Sequence, residues 1–251
     1  MVLNSGPSPE SMMRALEMLH FLGAIDDEGD LTETGAKMAD FPVDPHLSRT
    51  VIAGAERRCL SEVLAIIAML SVPPPFSRPR YAQKAADKAH KYFASGYGDH
   101  LSLLNAYQAY TSASSKAEFC RDNYLSDRNM KQAENVRRQL AGIARNAGLH
   151  DEEGSDMLTL SIRKAFIEGF FMQCAHLDET GKHYLTVRDQ QMADAAWYGS
   201  FSISRNGLEF QTEALRPTAI DCYGGGIHFV TESGVILQHE VQRMAMAEGA
   251  F

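Results

Sequence analysis

Residues 7–45 read PSPESMMRALEMLHFLGAIDDEGDLTETGAKMADFPVDP, and this stretch sets the reading of the whole chain. Ser8 is placed to cap a helix, Pro9 suits its first position, and Glu10 favours its positive end. Met12, Met13, Leu16 and Leu19 then recur at helical spacing until Gly23 ends the run. Asp26-Asp27-Glu28-Gly29-Asp30 predicts a tight turn. Its acids do not alternate as a calcium loop requires, and no Glu stands six residues after the glycine. Thr32-Glu33-Thr34-Gly35 starts a second short helix through Met38, closed by Phe41-Pro42.

Downstream, from Pro45 to about Leu149, the pattern predicts successive helices. Leu47, Val51, Ile52 and Ala55 form one apolar stripe, whereas Val63, Leu64, Ile66, Ile67, Met69 and Leu70 are apolar nearly all round, the mark of a central buried helix. Pro73-Pro74-Pro75 must end that helix, because prolines lack the donor and fix φ. Phe76 and Arg78 are read as fixing the loop that follows. Further amphipathic helices are predicted over Tyr81–Phe93, Asp99–Tyr110, Ala117–Leu125 and Asn129–Ala147, and one more over Leu158–Ala175 after the acidic linker Asp151-Glu152-Glu153-Gly154. Past Gly181 the runs Tyr184–Val187, Trp197–Ser204, Leu208–Leu215, Ile227–Thr231 and Val235–Leu237 are short, β-prone and bounded by turn residues. They suit a small barrel such as an OB-fold, with a closing helix over Glu240–Ala247. The predicted class is mainly α with a C-terminal β part.

The chain of 251 residues carries a formal net charge of −8, distributed unevenly. Residues 1–45 hold 2 Lys/Arg against 9 Asp/Glu, residues 46–150 hold 15 against 8, and residues 151–251 hold 7 against 15. A basic middle can present a positive field to phosphates although the total is acidic. Solvated helix faces give the same pattern, and charge alone does not decide between them. No apolar run approaches the ~20 residues of a membrane span, and the N-terminus lacks a signal-peptide pattern. Cys59, Cys120, Cys174 and Cys222 stand far apart without a CxxC pair, so thiols in a reducing compartment are expected, with neither disulfide nor zinc.

Chemistry-bearing motifs are missing. No G-x-x-x-x-G-K-[ST] occurs, since Gly224-Gly225-Gly226 leads into Ile227-His228. No Asp-Glu-Ala-His box or G-x-S-x-G elbow is present, and His239-Glu240 meets Arg243 where a zinc protease needs its second histidine. No catalytic residue and no metal ligand is predicted.

The stretch quoted above, followed in order by CLSEVLAIIAMLSV, FSRP, GDHLSLLNAY, FCRDNYLSDRNMKQAENVRRQL, SIRKAFIEGFFMQCA and YLTVRDQQ, resembles the C-terminal helicase-associated region of DEAH-box RNA helicases. The likeness runs from about Pro7 to Pro217 and is nearest to the helicases of pre-mRNA splicing and ribosome biogenesis. It implies a partial winged-helix domain over residues 1–45, a helical ratchet domain over 46–150, and an OB-fold-like domain with its leading helix over 151–251. In such helicases two RecA-like domains use ATP and magnesium. The winged helix, ratchet and OB-fold close over single-stranded RNA and receive partners such as G-patch proteins, in the nucleus. The RecA-like domains and the first winged-helix helix are not represented in this chain. After VRDQQMA it moves at once to Asp194-Ala195-Ala196-Trp197, without the His-Pro segment of the family.

The resemblance, with the chemistry of phosphate contacts, points to Arg163, Lys164, Arg188, Arg137, Arg138 and His100 as RNA-binding residues. Met12, Met13, Leu16 and Leu19 are the candidate partner-docking surface. It implies no cofactor in this chain; its implied partners are single-stranded RNA, the helicase's own RecA-like domains, and G-patch, spliceosomal or ribosome-biogenesis proteins, without a membrane. The alternative is a stand-alone protein-interaction scaffold without RNA binding. A DNA-binding winged-helix regulator fits less well, because the helices of residues 7–45 are poor in base-reading Arg, Asn and Gln beside an acidic turn.

Overall fold

Ser8 caps the first helix as its position suggests, its Oγ accepting from the Ser11 N–H at 3.2 Å. The structure, a computed structural model, describes residues 8–150 and 157–171, together with the backbone of five short strands between 175 and 229. Helix α1 spans Pro9–Phe21 and buries none of its residues. Gly23 then takes φ +71°, the left-handed conformation that closes a helix C-terminus. The acidic turn is held by its own groups: the Asp26 N–H donates to the Asp30 carbonyl at 3.0 Å, and the Asp30 N–H to Asp26 Oδ1 at 2.8 Å. Helix α2, Glu33–Ala39, is capped by Thr32, whose Oγ1 accepts from the Gly35 N–H at 2.9 Å and donates to the Gly23 carbonyl at 2.6 Å. Gly35 lies so close to the Ala24 carbonyl that a Cβ there would collide with backbone.

The chain folds as two compact units, residues 1–64 with 138–169, and residues 65–137 with 170–251. In the first unit, Asp44 caps α3 (Pro45–Glu56) through the His46 N–H at 2.9 Å. This helix buries Leu47, Val51, Ile52 and Ala53. Two devices tie α3 to α9 (Leu158–Phe170). His46 Nδ1 donates to the Gly169 carbonyl at 2.7 Å, where the bare glycine lets the helices approach. Nearby, the Glu168 side chain, only 6% exposed, accepts from Arg49 Nη2 at 3.0 Å and pairs with Arg57. A carboxylate taken out of water needs such partners.

The predicted central helix is α4, Leu60–Leu70, in which every residue from Val63 to Met69 is buried. In the second unit the proline stretch leads to a loop pinned at several points. The Ser126 N–H donates to the Pro75 carbonyl at 2.7 Å, the Ser77 N–H to the Tyr124 carbonyl at 2.8 Å, and Asn129 Nδ2 to the Pro74 carbonyl at 3.0 Å. Phe76 and Arg78 do fix this loop: Phe76 pairs with Leu125, and Arg78 forks onto Asp87. Helices α5 (Gln83–Lys91), α6 (Asp99–Ser112), α7 (Lys116–Asp122) and α8 (Asp127–Asn146) follow. Phe93, Leu104, Tyr107, Tyr110, Cys120 and Met130 are among their buried side chains. Cys59 and Cys120 are buried free thiols, and burial pushes the Cys120 thiol up to about 11.

The β part differs from expectation. The last helix stops at Phe170 instead of running to Ala175, because Ala175 opens a strand paired with Thr186. Met172-Gln173-Cys174 contains no helix breaker, so local sequence offered no stop there. Strands β1 (Ala175–Leu177), β2 (His183–Thr186) and β3 (Met192–Asp194) form an antiparallel sheet in the order β1-β2-β3. Strands β4 (Ile220–Tyr223) and β5 (Gly226–Phe229) pair separately, with Tyr223 opposite Gly226. The expected run Tyr184–Val187 corresponds to β2, and Ile227–Thr231 to β5. Those at Trp197–Ser204, Leu208–Leu215 and Val235–Leu237, the linker at 151–154 and the closing helix lie outside the described residues. Sheets of three and two strands do not amount to a closed barrel among the described residues.

Candidate nucleic-acid interface

The basic middle of the chain is partly neutralised by its own folding. On α8, Lys131 Nζ lies 2.7 Å from Asp127 Oδ2, one helical turn back, and Lys116 of α7 meets Glu134 at 2.8 Å. The Lys116 ammonium also stands 5.1 Å from the centre of the buried Tyr110 ring. Burial, with Glu134 nearby, pushes that phenol up to about 12. These cations serve the bundle. Arg138 of α8 is exposed, whereas Arg137 is half-buried. Successive residues of a helix diverge by about 100°, so the two guanidiniums cannot share one direction.

His100 lies in the first turn of α6 with part of its surface open. Desolvation pushes its pKa down to about 4, so at neutral pH the ring carries no charge. Beside it, desolvation raises Asp99 to about 6. The expectation of an anion at this helix start therefore meets a neutral imidazole and the protein's own carboxyl. On α9, Arg163 is buried, 8% exposed. Its position on a helix whose neighbours Ile162 and Phe166 are also buried accounts for this. Lys164 is half-buried. Arg188 lies outside the described residues. The sites do not fall in one body: His100 and Arg137 belong to one unit, Arg138, Arg163 and Lys164 to the other.

At the N-terminus the candidate docking residues Met12, Met13 and Leu16 are exposed, Leu16 at 51%, and Leu19 is half-buried. A helix face of this kind in water is a usual mark of a binding surface.

Residues 15–43 match the winged-helix helicase-associated (HA2) domain, and residues 44–103 match the ratchet-like helicase-associated domain (HA2). Over 215 residues the chain is 38% identical to a Homo sapiens protein, DHX32, named as a putative pre-mRNA-splicing factor and ATP-dependent RNA helicase. The chain belongs to the helicase-associated region of the DEAH-box RNA helicases. That alignment covers 81% of this chain and 29% of the human protein. In this DEAH-box helicase region α1 from Ala15, the acidic turn and α2 fall within the winged-helix match, and α3 through the start of α6 within the ratchet-like match. Among the described residues no helix is long and apolar enough to cross a membrane, and no cluster of His, Cys, Asp and Glu suits a metal ion.

Proposed function

We propose that this chain supplies one wall of the single-stranded RNA channel of a DEAH-box RNA helicase and a docking surface for its protein activators. The observation that carries the reading is the succession of winged-helix and ratchet-like domains over residues 15–103, in the order of the family. ATP and magnesium would be used by RecA-like domains of the parent protein, against which this region would pack. An OB-fold built around the strands of residues 175–229 would complete the wall. Arg138, Lys164 and Arg188 are the basic side chains we assign to phosphates. His100 would take part only as a neutral hydrogen-bonding group. The kinship to a putative splicing helicase supports a role in pre-mRNA splicing, with ribosome biogenesis the alternative, and so a place in the nucleus.

The exposed Met12, Met13 and Leu16 favour a second role for the same chain. They would receive a short amphipathic segment of a G-patch protein. A pure interaction scaffold would keep this role and lose the first.

Titration of the chain with fluorescein-labelled oligouridylate separates the two. RNA-channel function predicts weak binding that is indifferent to sequence and falls steeply with salt. Four or five phosphate contacts give a log–log slope of roughly −3. Absence of binding at low salt, or tight binding unmoved by salt, overturns the RNA role and leaves the scaffold.

A further inference from the structure

Helix α5 has two opposite faces. Ala86 and His90 are buried, as is Phe93 just past its end. This side is firmly seated. Phe76 meets the His90 ring edge-on at 4.9 Å between centroids, and Phe93 packs 6.4 Å from Phe76 and 6.1 Å from Phe119. His90 Nε2 donates to the Tyr124 carbonyl at 3.2 Å. The opposite side carries Lys84, Lys88 and Lys91, all exposed and spaced four and three residues apart. That spacing sets them in one row of about 10 Å. The turn entering the helix, closed by the Ala82 N–H on the Pro79 carbonyl at 3.0 Å, bears the exposed Arg80 and Tyr81. Tyr81 is 91% exposed, and Tyr92 at the helix exit 83%.

One acid tempers the row, and it also feels Lys91. Asp87 is the one acid between Arg78 and Lys91, and Arg78 takes both its oxygens, Nε on Oδ1 at 2.7 Å and Nη2 on Oδ2 at 2.8 Å. The same fork holds the entering turn against the helix. Arg80, Lys84, Lys88 and Lys91 make no ion pair among the described residues.

We propose that this face of α5 is a binding strip for single-stranded nucleic acid, with phosphates along Lys84, Lys88 and Lys91 and bases stacked on Tyr81 and Tyr92. Ammonium groups in a row attract any polyanion. The two exposed rings at its ends, Tyr92 meeting Phe93 edge-on at 5.6 Å between centroids, select among polyanions, because flat faces open to water gain by stacking on bases, whereas an acidic peptide would use the lysines alone. The strip shares its ligand class with the RNA reading above, on which it rests, but none of that reading's residues.

Fluorescence anisotropy of the full chain with fluorescein-labelled oligouridylate, over a salt series and with polyglutamate as competitor, tests it. The Lys84→Gln/Lys88→Gln/Lys91→Gln variant should lower the log–log salt slope by about 2, at about 0.7 per lost phosphate contact. The Tyr81→Ala/Tyr92→Ala variant should weaken binding about thirty-fold or more at every salt concentration with the slope unchanged, the low end of base stacking for two rings. All five side chains are exposed, so circular dichroism should match wild type. If the triple variant loses its fold, Lys88→Gln alone should lower the slope by about 0.7. Wild-type RNA binding that neither variant alters overturns the strip and leaves the channel reading standing. Wild-type protein that binds no RNA overturns both. Loss of polyglutamate and RNA together in the lysine variant, with no effect of the tyrosines, assigns the face to an acidic peptide and overturns the nucleic-acid proposal.

Discussion

His100 shows what burial does to a residue that looks like a surface cation in sequence. Its ring and the neighbouring Asp99 carboxyl start the same helix, and desolvation drives both toward their neutral forms. Their effects on stability have opposite signs. For His100 the folded pKa, about 4, lies below the ordinary value of 6.5, so the unfolded chain binds the proton first and stability is lost as pH falls from 6.5 toward 4. For Asp99 the folded pKa, about 6, lies above 3.8, so stability is gained as pH falls from 6 toward 3.8. The His100→Gln variant keeps only the second effect. Its urea midpoint, relative to wild type at the same pH, should rise on going from pH 7 to pH 5. Parallel midpoints for the two proteins across that range would show that His100 is not held neutral by the fold. The same paired measurement on Asp99→Asn should move the other way.

Among the elements, α1 and α4 make the instructive pair. Both are rich in apolar residues, but α4 buries every side chain from Val63 to Met69, and α1 buries none. The apolar run and the three prolines made α4 legible. For α1, periodicity says which side chains share a face but is silent on what covers it. Exposure of Leu16 makes a clean test of the docking role. Leu16→Glu should fold as wild type does, since a surface substitution away from the core costs little. It should weaken a G-patch peptide by about ten-fold or more, as loss of an interface anchor does. Calorimetry showing equal affinity for both proteins would remove α1 from the docking surface. Ties between elements were the less legible part: neither Glu168 between Arg49 and Arg57 nor the fork of Arg78 on Asp87 follows from spacing, because each joins residues whose separation only folding sets.

At the scale of the whole molecule the chain is a DEAH-box helicase-associated region. Purified protein should release no phosphate from ATP, with or without RNA, because the sequence has neither the loop that cradles phosphates nor the acidic box. Turnover stimulated by RNA above that of a contaminant control would contradict this. The sequence by itself determined the helical class, the cap at Ser8, the start of α2 at Thr32, the buried course of α4 and the family, since each is written in local spacing or in the order of blocks along the chain. Asp44 stands before Pro45 in the same way that Ser8 stands before Pro9, and both are caps. Only the tertiary structure decided which charges stay available. It buried Arg163, spent Lys116 on Glu134, neutralised His100, and left the lysines of α5 exposed. It also ended α9 at Phe170 by giving Ala175 a strand partner. The reason is common to all of these. Desolvation and pairing depend on neighbours distant in sequence, and a periodic pattern carries no record of which neighbour arrives.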